Sequence, residues 1–230
     1  MNHILDNPIY QALANNHINF SDGNEKVRFY NRDIASFAGM VNYDLESFET
    51  LYNLSKDDDL FILFNPQQLI IPKKWNLIKQ IALFQFVYEH NFVPEGNEDF
   101  TYHDLDDSNI EEMIALVKLT EPGPFFERTI DLSNYTGVFE NGKLVAMAGH
   151  RFNPDHYIEI SAVCTHPDYL GRGYAYALIR EQIKRILAKA QTPFLHVVVN
   201  NVGAIKLYQK LGFKIRKTMV AYVINKEVQV

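Results

Sequence analysis

The pattern of apolar and polar positions along the chain predicts alternating strands and helices, which fall into two parts of different texture. Residues 1–98 are rich in Asn, Asp and aromatic side chains, whereas residues 100–230 show a cleaner succession of amphipathic elements. Pro, Gly and acidic residues gather at 91–99, so we expect the boundary there between an N-terminal αβ subdomain and a second domain. The acidic run at 57–59 is interpreted as a solvated turn, with a metal site as the alternative.

The first part is predicted to hold short elements of both kinds. A compact apolar run at 60–64 ends at Asn65-Pro66, which is typical of a buried strand. Apolar residues recur at helical spacing between 76 and 89, and this period predicts a helix there. The residues that carry the period are Leu77, Ile81, Phe84 and Tyr88. Further elements are expected as a helix at 8–15 and strands at 27–30 and 68–71.

The second part predicts a mixed, mostly antiparallel sheet flanked by helices, with one βαβ crossover. Asn141-Gly142 lies between two apolar runs and is a strong hairpin signal. A long helix is expected from about Gly171, because apolar residues recur every three or four positions behind it. The helix at 202–211 is expected to end at Gly212 in a left-handed cap. The other predicted elements are strands at 100–105, 135–139, 144–152, 157–165, 194–199 and 213–224, and a helix at 108–119 capped by Ser108.

Composition and charge restrict the classes of function. The chain has 230 residues, 47% hydrophobic and 22% charged, as in ordinary globular proteins. Its net charge of −6 argues against a nucleic-acid partner, because phosphate neutralisation needs a basic surface. Cys164 is the only cysteine, so no intramolecular disulfide forms. Without a signal-peptide pattern or an apolar run of about 20 residues, the chain is expected to be cytoplasmic and to make no membrane contact.

The segment 163–175 carries the clearest chemical signal. It runs from a strand through a loop with two glycines into a strongly amphipathic helix. Glycines let a backbone approach a ligand closely, and a helix start offers free N–H groups, which together suit a phosphate or pyrophosphate. Arg172 adds a positive charge, and a tight turn before a helix is the alternative interpretation. The spacing fits neither a P-loop nor the Gly-x-Gly-x-x-Gly dinucleotide fingerprint, so a pyrophosphate of another kind is indicated.

Two motifs in this part resemble the signatures of the GNAT superfamily of N-acetyltransferases. Gly171-Arg172-Gly173-Tyr174-Ala175 resembles the Arg/Gln-x-x-Gly-x-Gly/Ala motif that cradles the pyrophosphate of coenzyme A, although Leu170 stands where that motif has Arg or Gln. The run from Asn201 to Phe213 resembles the second signature, Asn-x-x-Ala-x-x-x-Tyr-x-x-x-Gly-Phe. The stretch from 121–125 through 142–149 to the end of the sequence also looks like the glycine-N-acyltransferase-like branch, in which residues 1–98 would be a degenerate half of the same fold.

The resemblance implies the GNAT acyl-CoA N-acyltransferase fold, of mixed α/β class, over residues 100–230. It implies transfer of the acetyl group of acetyl-CoA, the cosubstrate, to a primary amine by direct attack in a ternary complex, without a metal. The acceptor is expected to be a small-molecule or peptide amine, and the protein a monomer or homodimer. A non-catalytic acetyl-CoA sensor or regulator is the first alternative, and a structural interaction module is the second.

By the same resemblance, Glu159 is the expected general base and Tyr208 the expected general acid. Because Glu159 lies on the strand face opposite Ile160, it is either a solvated surface carboxylate or one aimed into a cleft. A water-relayed base, His150 or His196 would serve instead, and for Tyr208 the alternative is a core tyrosine. The implied coenzyme-binding residues are Val163, Cys164, Thr165, Gly171, Arg172, Gly173, Tyr174, Ala175, Tyr176, Asn201 and Ala204.

Several residues in the second part have simpler interpretations. Cys164 is expected to be a small buried residue rather than a nucleophile, and Asn201 also suits the cap of the short helix. The histidines show no spacing typical of a zinc site. Aromatic residues at the strand ends either line the acceptor pocket or belong to the core, and the core is more usual. They are Tyr102, Phe125, Phe126, Tyr135 and Phe152.

Overall fold

Residues 3–96 and 100–227, which the computed structural model describes, form five α-helices and eleven strands. The helices are α1 (Pro8–Ala14), α2 (Leu45–Leu54), α3 (Ile110–Thr120), α4 (Tyr174–Leu187) and α5 (Val202–Leu211). The strands are β1 (Ser21–Gly23), β2 (Val27–Tyr30), β3 (Ala38–Met40), β4 (Leu60–Asn65), β5 (Trp75–Val87), β6 (His103–Asp104), β7 (Thr136–Glu140), β8 (Lys143–His150), β9 (Tyr157–Thr165), β10 (Thr192–Val198) and β11 (Lys214–Lys226). In this part of the chain no helix is long and apolar enough to cross a membrane.

An eight-stranded sheet forms the centre of the molecule, in the order β4-β11-β5-β10-β9-β8-β7-β6. Neighbouring strands pair antiparallel except β9 and β10, which run parallel and are connected through α4. A parallel pair needs such a crossover, because the chain must return to the same end of the sheet. The mixed, mostly antiparallel sheet flanked by helices confirms the predicted fold class.

The two parts of the chain share this sheet. Strands β4 and β5 come from residues 1–98, and they pair with β10 and β11 from the second part. One apolar cluster contains Ile9 and Phe37 together with Phe152 and Phe194. The first part also forms a small sheet, β1-β2-β3, that covers one face of the large one. Part of the expected boundary, residues 97–99, lies outside the described residues, and the division into two domains stays a prediction.

The segment 76–89 is a strand, so the predicted helix there is wrong. Strand β5 pairs with β11 over nearly its whole length and with β10 over its last five residues. Its apolar side chains alternate between two buried faces, with Leu83 and Val87 on one and Phe84 and Phe86 on the other. Both faces are covered over residues 83–87, so apolar residues follow one another closely there, and together with the exposed Leu77 they imitate a helical period. The strand expected at 68–71 is also absent, since that stretch is irregular.

Local signals located most of the other elements. The Asn141-Gly142 turn joins β7 to β8 with both residues at positive φ, as the hairpin signal predicts. Gly212 ends α5 at φ 101°, which confirms the left-handed cap. Ser108 is not the helix cap that we expected. Instead, Asp106 and Asn109 form a capping box around the short 3₁₀ turn 107–109 that leads into α3: the Asp106 side chain accepts from the Ser108 N–H, and Asn109 Oδ1 accepts from the Asp106 N–H.

Helix α4 is fixed on the sheet by its apolar stripe. Leu178, Ile179, Ile183 and Ile186 are fully buried. Each such side chain contributes roughly 1.5–3 kcal/mol relative to exposure, so the stripe holds the orientation of the helix firmly. The first turn of α4 is therefore held in place at the end of the sheet where β9 and β10 separate.

Strands β9 and β10 diverge after a short region of pairing. Only residues 192–194 pair with residues 157–159. Beyond them β9 continues against β8 and β10 against β5, so each backbone has a partner on its outer side. The separation opens a cleft in the middle of the sheet without breaking either strand.

Candidate active site

A cavity of about 350 Å³ fills the cleft between β9 and β10. Residues 160–163 of β9 form one wall, and residues 196–198 of β10 form another. Tyr208 from α5 and Asn201 at its start also line the cavity, as does the loop 120–124 that follows α3. The expected acid Tyr208 and the expected contact residues Val163 and Asn201 are thus brought together in one place.

A bulge in β9 shapes the wall of this cavity. Pairing shifts from Gly149 opposite Ser161 to Met147 opposite Cys164, so β9 has one residue more than β8 between these pairs. Ala162 lies in the bulge at φ 50°, a left-handed conformation that costs a residue with a side chain about 1 kcal/mol. A bulged residue leaves the hydrogen-bond ladder, and its backbone groups become available to a ligand. The sequence contains no signal for this bulge.

Glu159 lies beneath the cavity rather than on the surface or in the cleft, so neither expected orientation is correct. Its side chain is 0% exposed, because the first part of the chain covers the strand face that alternation had assigned to solvent. Arg151 Nε donates to Oε2 at 2.7 Å and Nη2 to Oε1 at 2.6 Å. Burial on its own raises the pKa of Glu159, but the charge of Arg151 outweighs it and the pKa lies at about 2. Such a carboxylate is a weak proton acceptor.

His196 joins Glu159 to a second polar group behind the sheet. Its Nδ1 is 2.7 Å from Glu159 Oε1, and its Nε2 is 2.9 Å from Gln85 Nε2. Gln85 Oε1 accepts from Arg216, which orients the amide so that its nitrogen donates to the imidazole. His196 therefore carries its proton on Nδ1 and donates it to Glu159. Burial lowers the pKa of His196, and both ring nitrogens are engaged.

Arg151 is a cavity residue that the sequence analysis missed. It lines the cleft, and its guanidinium carbon lies 4.9 Å from the ring centre of Phe37 and 4.7 Å from that of Phe152. The expected pocket residue Phe152 is thus part of the core beneath the arginine, with 0% exposure. A charged residue after the apolar run of β8 was the available signal. Its partner could not be deduced because Glu159 lies on another strand.

Tyr208 faces the cavity with little of its side chain exposed. Its ring packs against Phe86 and Phe213, with centroid distances of 6.1 and 6.2 Å. Burial raises the pKa of Tyr208 to about 12, so the hydroxyl keeps its proton at neutral pH. Asn201 caps the same helix, because its Oδ1 accepts from the Ala204 N–H at 3.1 Å. That confirms the capping interpretation of Asn201.

The start of α4 forms a second cavity, of about 590 Å³, beside the outer end of β9. Gly171 and Gly173 have φ values of 78° and 86°, and Gly173 stands at the N-cap without a side chain to fill the site. The first helical backbone bond runs from Ala177 to Gly173, so the amides of the first turn have no helical acceptor. The predicted residues lining this cavity are Thr165, Gly171, Arg172, Gly173, Tyr174, Ala175 and Tyr176.

Two further features of this second cavity suit an anionic ligand. Lys210, which the sequence analysis did not single out, lines it and lies 5.3 Å above the Tyr176 ring. Thr165 Oγ1 is buried without a hydrogen-bond partner among the described residues. An oriented helix start, cationic side chains and an unpaired hydroxyl fit the diphosphate and pantetheine of a coenzyme A molecule. Leu170, the position that departs from the motif, is 66% exposed and leaves the backbone amides free to bind.

Some predicted site residues lie elsewhere. Cys164 is 2% exposed, and burial raises the pKa of its thiol to about 11, so it is the small buried residue that we expected. Ala204, in the first turn of α5, is partly buried against the core and lines neither cavity. His150 is buried at 4% exposure, which lowers its pKa to about 3, and it also lines neither cavity.

The aromatic candidates for the acceptor pocket are similarly dispersed. Phe125 and Tyr135 border a small side cavity next to Arg151, Tyr102 packs beside α4, and Phe126 faces a separate cavity. Among the described residues, no group of three or more His, Cys, Asp or Glu side chains is arranged to hold a metal ion.

Comparisons with known proteins agree with this geometry. Residues 135–222 match the model of a family described as FR47-like protein. The chain is similar to the crystal structure of a putative acetyltransferase from the GNAT family of Novosphingobium aromaticivorans, with 31% identity, a TM-score of 0.91 and coverage of 99% of this chain and 100% of that one. A GCN5-related N-acetyltransferase from Kribbella flavida has the same fold, with a TM-score of 0.64 and 14% identity over 96% of this chain and 95% of that one.

A shorter segment of the chain is also similar to a curated protein. An acetyltransferase of Yersinia pestis is 39% identical over 57 residues, which are 24% of this chain. The match spans only 40% of the length of that relative.

Proposed function

The chain belongs to the GNAT family of acetyltransferases, and from that premise we propose that it transfers the acetyl group of acetyl-CoA to a primary amine by direct attack in a ternary complex. The proposal is supported by the order of three features: the start of α4 with its free amides, the outer end of β9 beside it, and Tyr208 in the cleft. A diphosphate at the helix start would direct a thioester toward the cleft, where an amine would meet it.

The start of α4 supplies the binding step. Backbone N–H groups of the first turn and the positive end of the helix dipole stabilise the diphosphate, and Arg172 and Lys210 add cationic charge. Glycine at 171 and 173 keeps the approach free of side chains. The backbone of β9 around the bulge at Ala162 offers N–H groups to the thioester carbonyl, whose oxygen becomes negative during the attack.

The transfer step then needs two proton movements. The amine nitrogen forms a bond to the acetyl carbon, the carbon–sulfur bond breaks, and the sulfur leaves with the electron pair. Tyr208 donates a hydrogen bond and then a proton to that sulfur, which is consistent with a hydroxyl that stays protonated at neutral pH. The amine proton leaves through cavity water toward the mouth, where Glu121 contributes an exposed carboxylate. The low pKa of Glu159 favours this water relay over direct proton transfer to its carboxylate.

The proposal is tested first by binding and then by turnover. Acetyl-CoA should raise the melting temperature, because a ligand that binds only the folded state stabilises it. Release of free thiol in the presence of a panel of amines then separates an enzyme from a sensor. Binding without thiol release for any amine would favour the non-catalytic alternative, and no binding would remove both.

A further inference from the structure

The guanidinium of Arg151 lies at the wall of the cleft cavity, and some of its N–H groups have no acceptor among the described residues. A guanidinium carries five N–H groups, and Glu159 takes one from Nε and one from Nη2. No acceptor for the other three is found among the described residues. The side chain is 17% exposed and lines the cavity. The unfilled donors are therefore available to a ligand in the cleft.

The surroundings of Arg151 hold its orientation. Glu159 accepts two hydrogen bonds from one edge of the guanidinium. The ring centres of Phe37, Phe64 and Phe152 lie 4.9, 5.8 and 4.7 Å from the guanidinium carbon. A buried ion pair is weak evidence for added stability, because desolvation cancels most of the attraction. A fixed guanidinium fork is instead well suited to bind a carboxylate at two points.

The charged groups of the cavity suit a ligand that carries both signs. Among the described residues, Arg151 and Glu121 are the Arg, Lys, Asp and Glu side chains that line it. The guanidinium of Arg151 attracts a ligand carboxylate, and the carboxylate of Glu121 at the mouth attracts a ligand amine.

The wall of the cavity beyond Arg151 is apolar. The side chains that form it come from the first part of the chain and from β11. They are Phe37, Ile62, Phe64, Ile81, Leu83, Ala221 and Val223. A volume of about 350 Å³ suits one small molecule. The acceptor site therefore combines one fixed cation with a hydrophobic surface.

We infer that the acceptor is an α-amino acid with an apolar side chain, whose carboxylate is bound by Arg151 and whose side chain lies against the apolar wall. This inference rests on the proposed function, since it names the acceptor class of the same cleft. Glu159 is then a positioning residue, which holds the guanidinium that the substrate contacts.

Three amines of one carbon skeleton test the role of the carboxylate on the unmodified protein. Leucine has the carboxylate, leucinamide replaces it with a neutral amide, and 3-methylbutylamine lacks it. We expect kcat/KM for leucine to exceed that of both analogues at least about 100-fold, because the analogues leave the guanidinium unpaired. Leucine should also exceed glycine about 10-fold, through contact with the apolar wall. Equal turnover of leucine and leucinamide would overturn the inference and leave the proposed function intact.

Calorimetry with coenzyme A present separates the inference from the proposed function. Leucine that binds more tightly than leucinamide, but is never acetylated, would support the carboxylate site and refute the enzyme. If neither amine binds while another class of amine is acetylated, the acceptor class is wrong and the enzyme stands.

A pair of variants assigns the effect to Arg151. The double variant Arg151→Gln/Glu159→Gln removes both charges together, so no buried charge is left alone. It should raise KM for leucine at least about 10-fold and abolish the preference over leucinamide. Arg128→Gln is the control, since Arg128 pairs with Asp131 and Asp107 outside the cleft. If the double variant folds and keeps the preference for leucine, Arg151 does not bind the carboxylate.

Discussion

Arg151, directly after the end of β8, and Glu159 of β9, eight residues further along the chain, form a two-point ion pair directly beneath the cleft between β9 and β10. The carboxylate is fully buried, whereas the guanidinium still reaches the cavity. The pair therefore links the interior of the sheet to the site where an acceptor would bind.

Glu159→Gln should lower the free energy of unfolding by about 3 kcal/mol, because it leaves the buried charge of Arg151 uncompensated. Urea denaturation measures the change. The matched control is Glu46→Gln, which breaks the exposed pair with Lys26 and should change the free energy of unfolding far less, because solvent screens that pair. Equal losses of unfolding free energy in the two variants would show that removing Glu159 leaves no uncompensated buried charge.

The low pKa of Glu159 predicts that the free energy of unfolding decreases at acidic pH. The pKa of Glu159 is about 2 in the folded protein and near its usual value of 4.5 in the unfolded chain. The stabilisation is thus complete above pH 4.5 and is lost as the pH falls toward 2, by about 3 kcal/mol in total. Melting temperatures between pH 6 and pH 3 should fall more steeply for the natural protein than for Glu159→Gln. If the melting temperatures of the two proteins fell equally with pH, Glu159 would not be the source of the acid sensitivity.

Tyr208→Phe should reduce kcat about 100-fold with little change in KM for acetyl-CoA, because it removes the proton donor but keeps the ring. Steady-state kinetics, followed by thiol release, separates the two constants. The ring contacts with Phe86 and Phe213 remain, so the melting temperature should hardly move. Unchanged kcat would exclude Tyr208 as the general acid.

Gly173→Ala should weaken coenzyme A binding at least about 10-fold, because the new methyl group lies at the helix start where the diphosphate is expected. Calorimetric titration measures the loss. Gly142→Ala is a matched control, since Gly142 has a similar φ of 74° and lies in the distant β7–β8 hairpin. A methyl group would have nothing within 4 Å at Gly142 and would make only an ordinary 3.8 Å contact with Phe100 at Gly173. Both substitutions impose a comparable backbone strain. Equal coenzyme affinities in the two variants would refute the diphosphate site.

Cys164→Ala should keep turnover within about twofold, because a thiol with a pKa of about 11 and 2% exposure does not act as a nucleophile. The loss of one buried atom should cost about 1 kcal/mol of stability. Thiol-release assays and denaturation measure the two effects. Trapping of an acetylated Cys164 by mass spectrometry would establish a covalent route and overturn the ternary-complex proposal.

Local sequence was sufficient to locate much of the fold and the candidate coenzyme site. The Asn141-Gly142 turn and the Gly212 cap depend on the backbone preferences of a few adjacent residues, which act wherever the chain folds. The glycine loop before α4 and the helix from Asn201 were located in the same way. Residues adjacent in sequence determine these features. The predicted residues Gly171 and Gly173 accordingly line one cavity, and Tyr208 lines the other.

Only the tertiary structure decided the arrangement of the cleft around Arg151 and Glu159, where we propose that the acceptor binds. Strand β5 was mistaken for a helix because pairing with β10 and β11 outweighs its local period. Glu159 was expected to face solvent or a cleft, but elements from the first part of the chain cover that face and leave the carboxylate to Arg151 and His196. A buried charge takes its pKa and its partner from residues that are distant in sequence, and no local pattern encodes that arrangement.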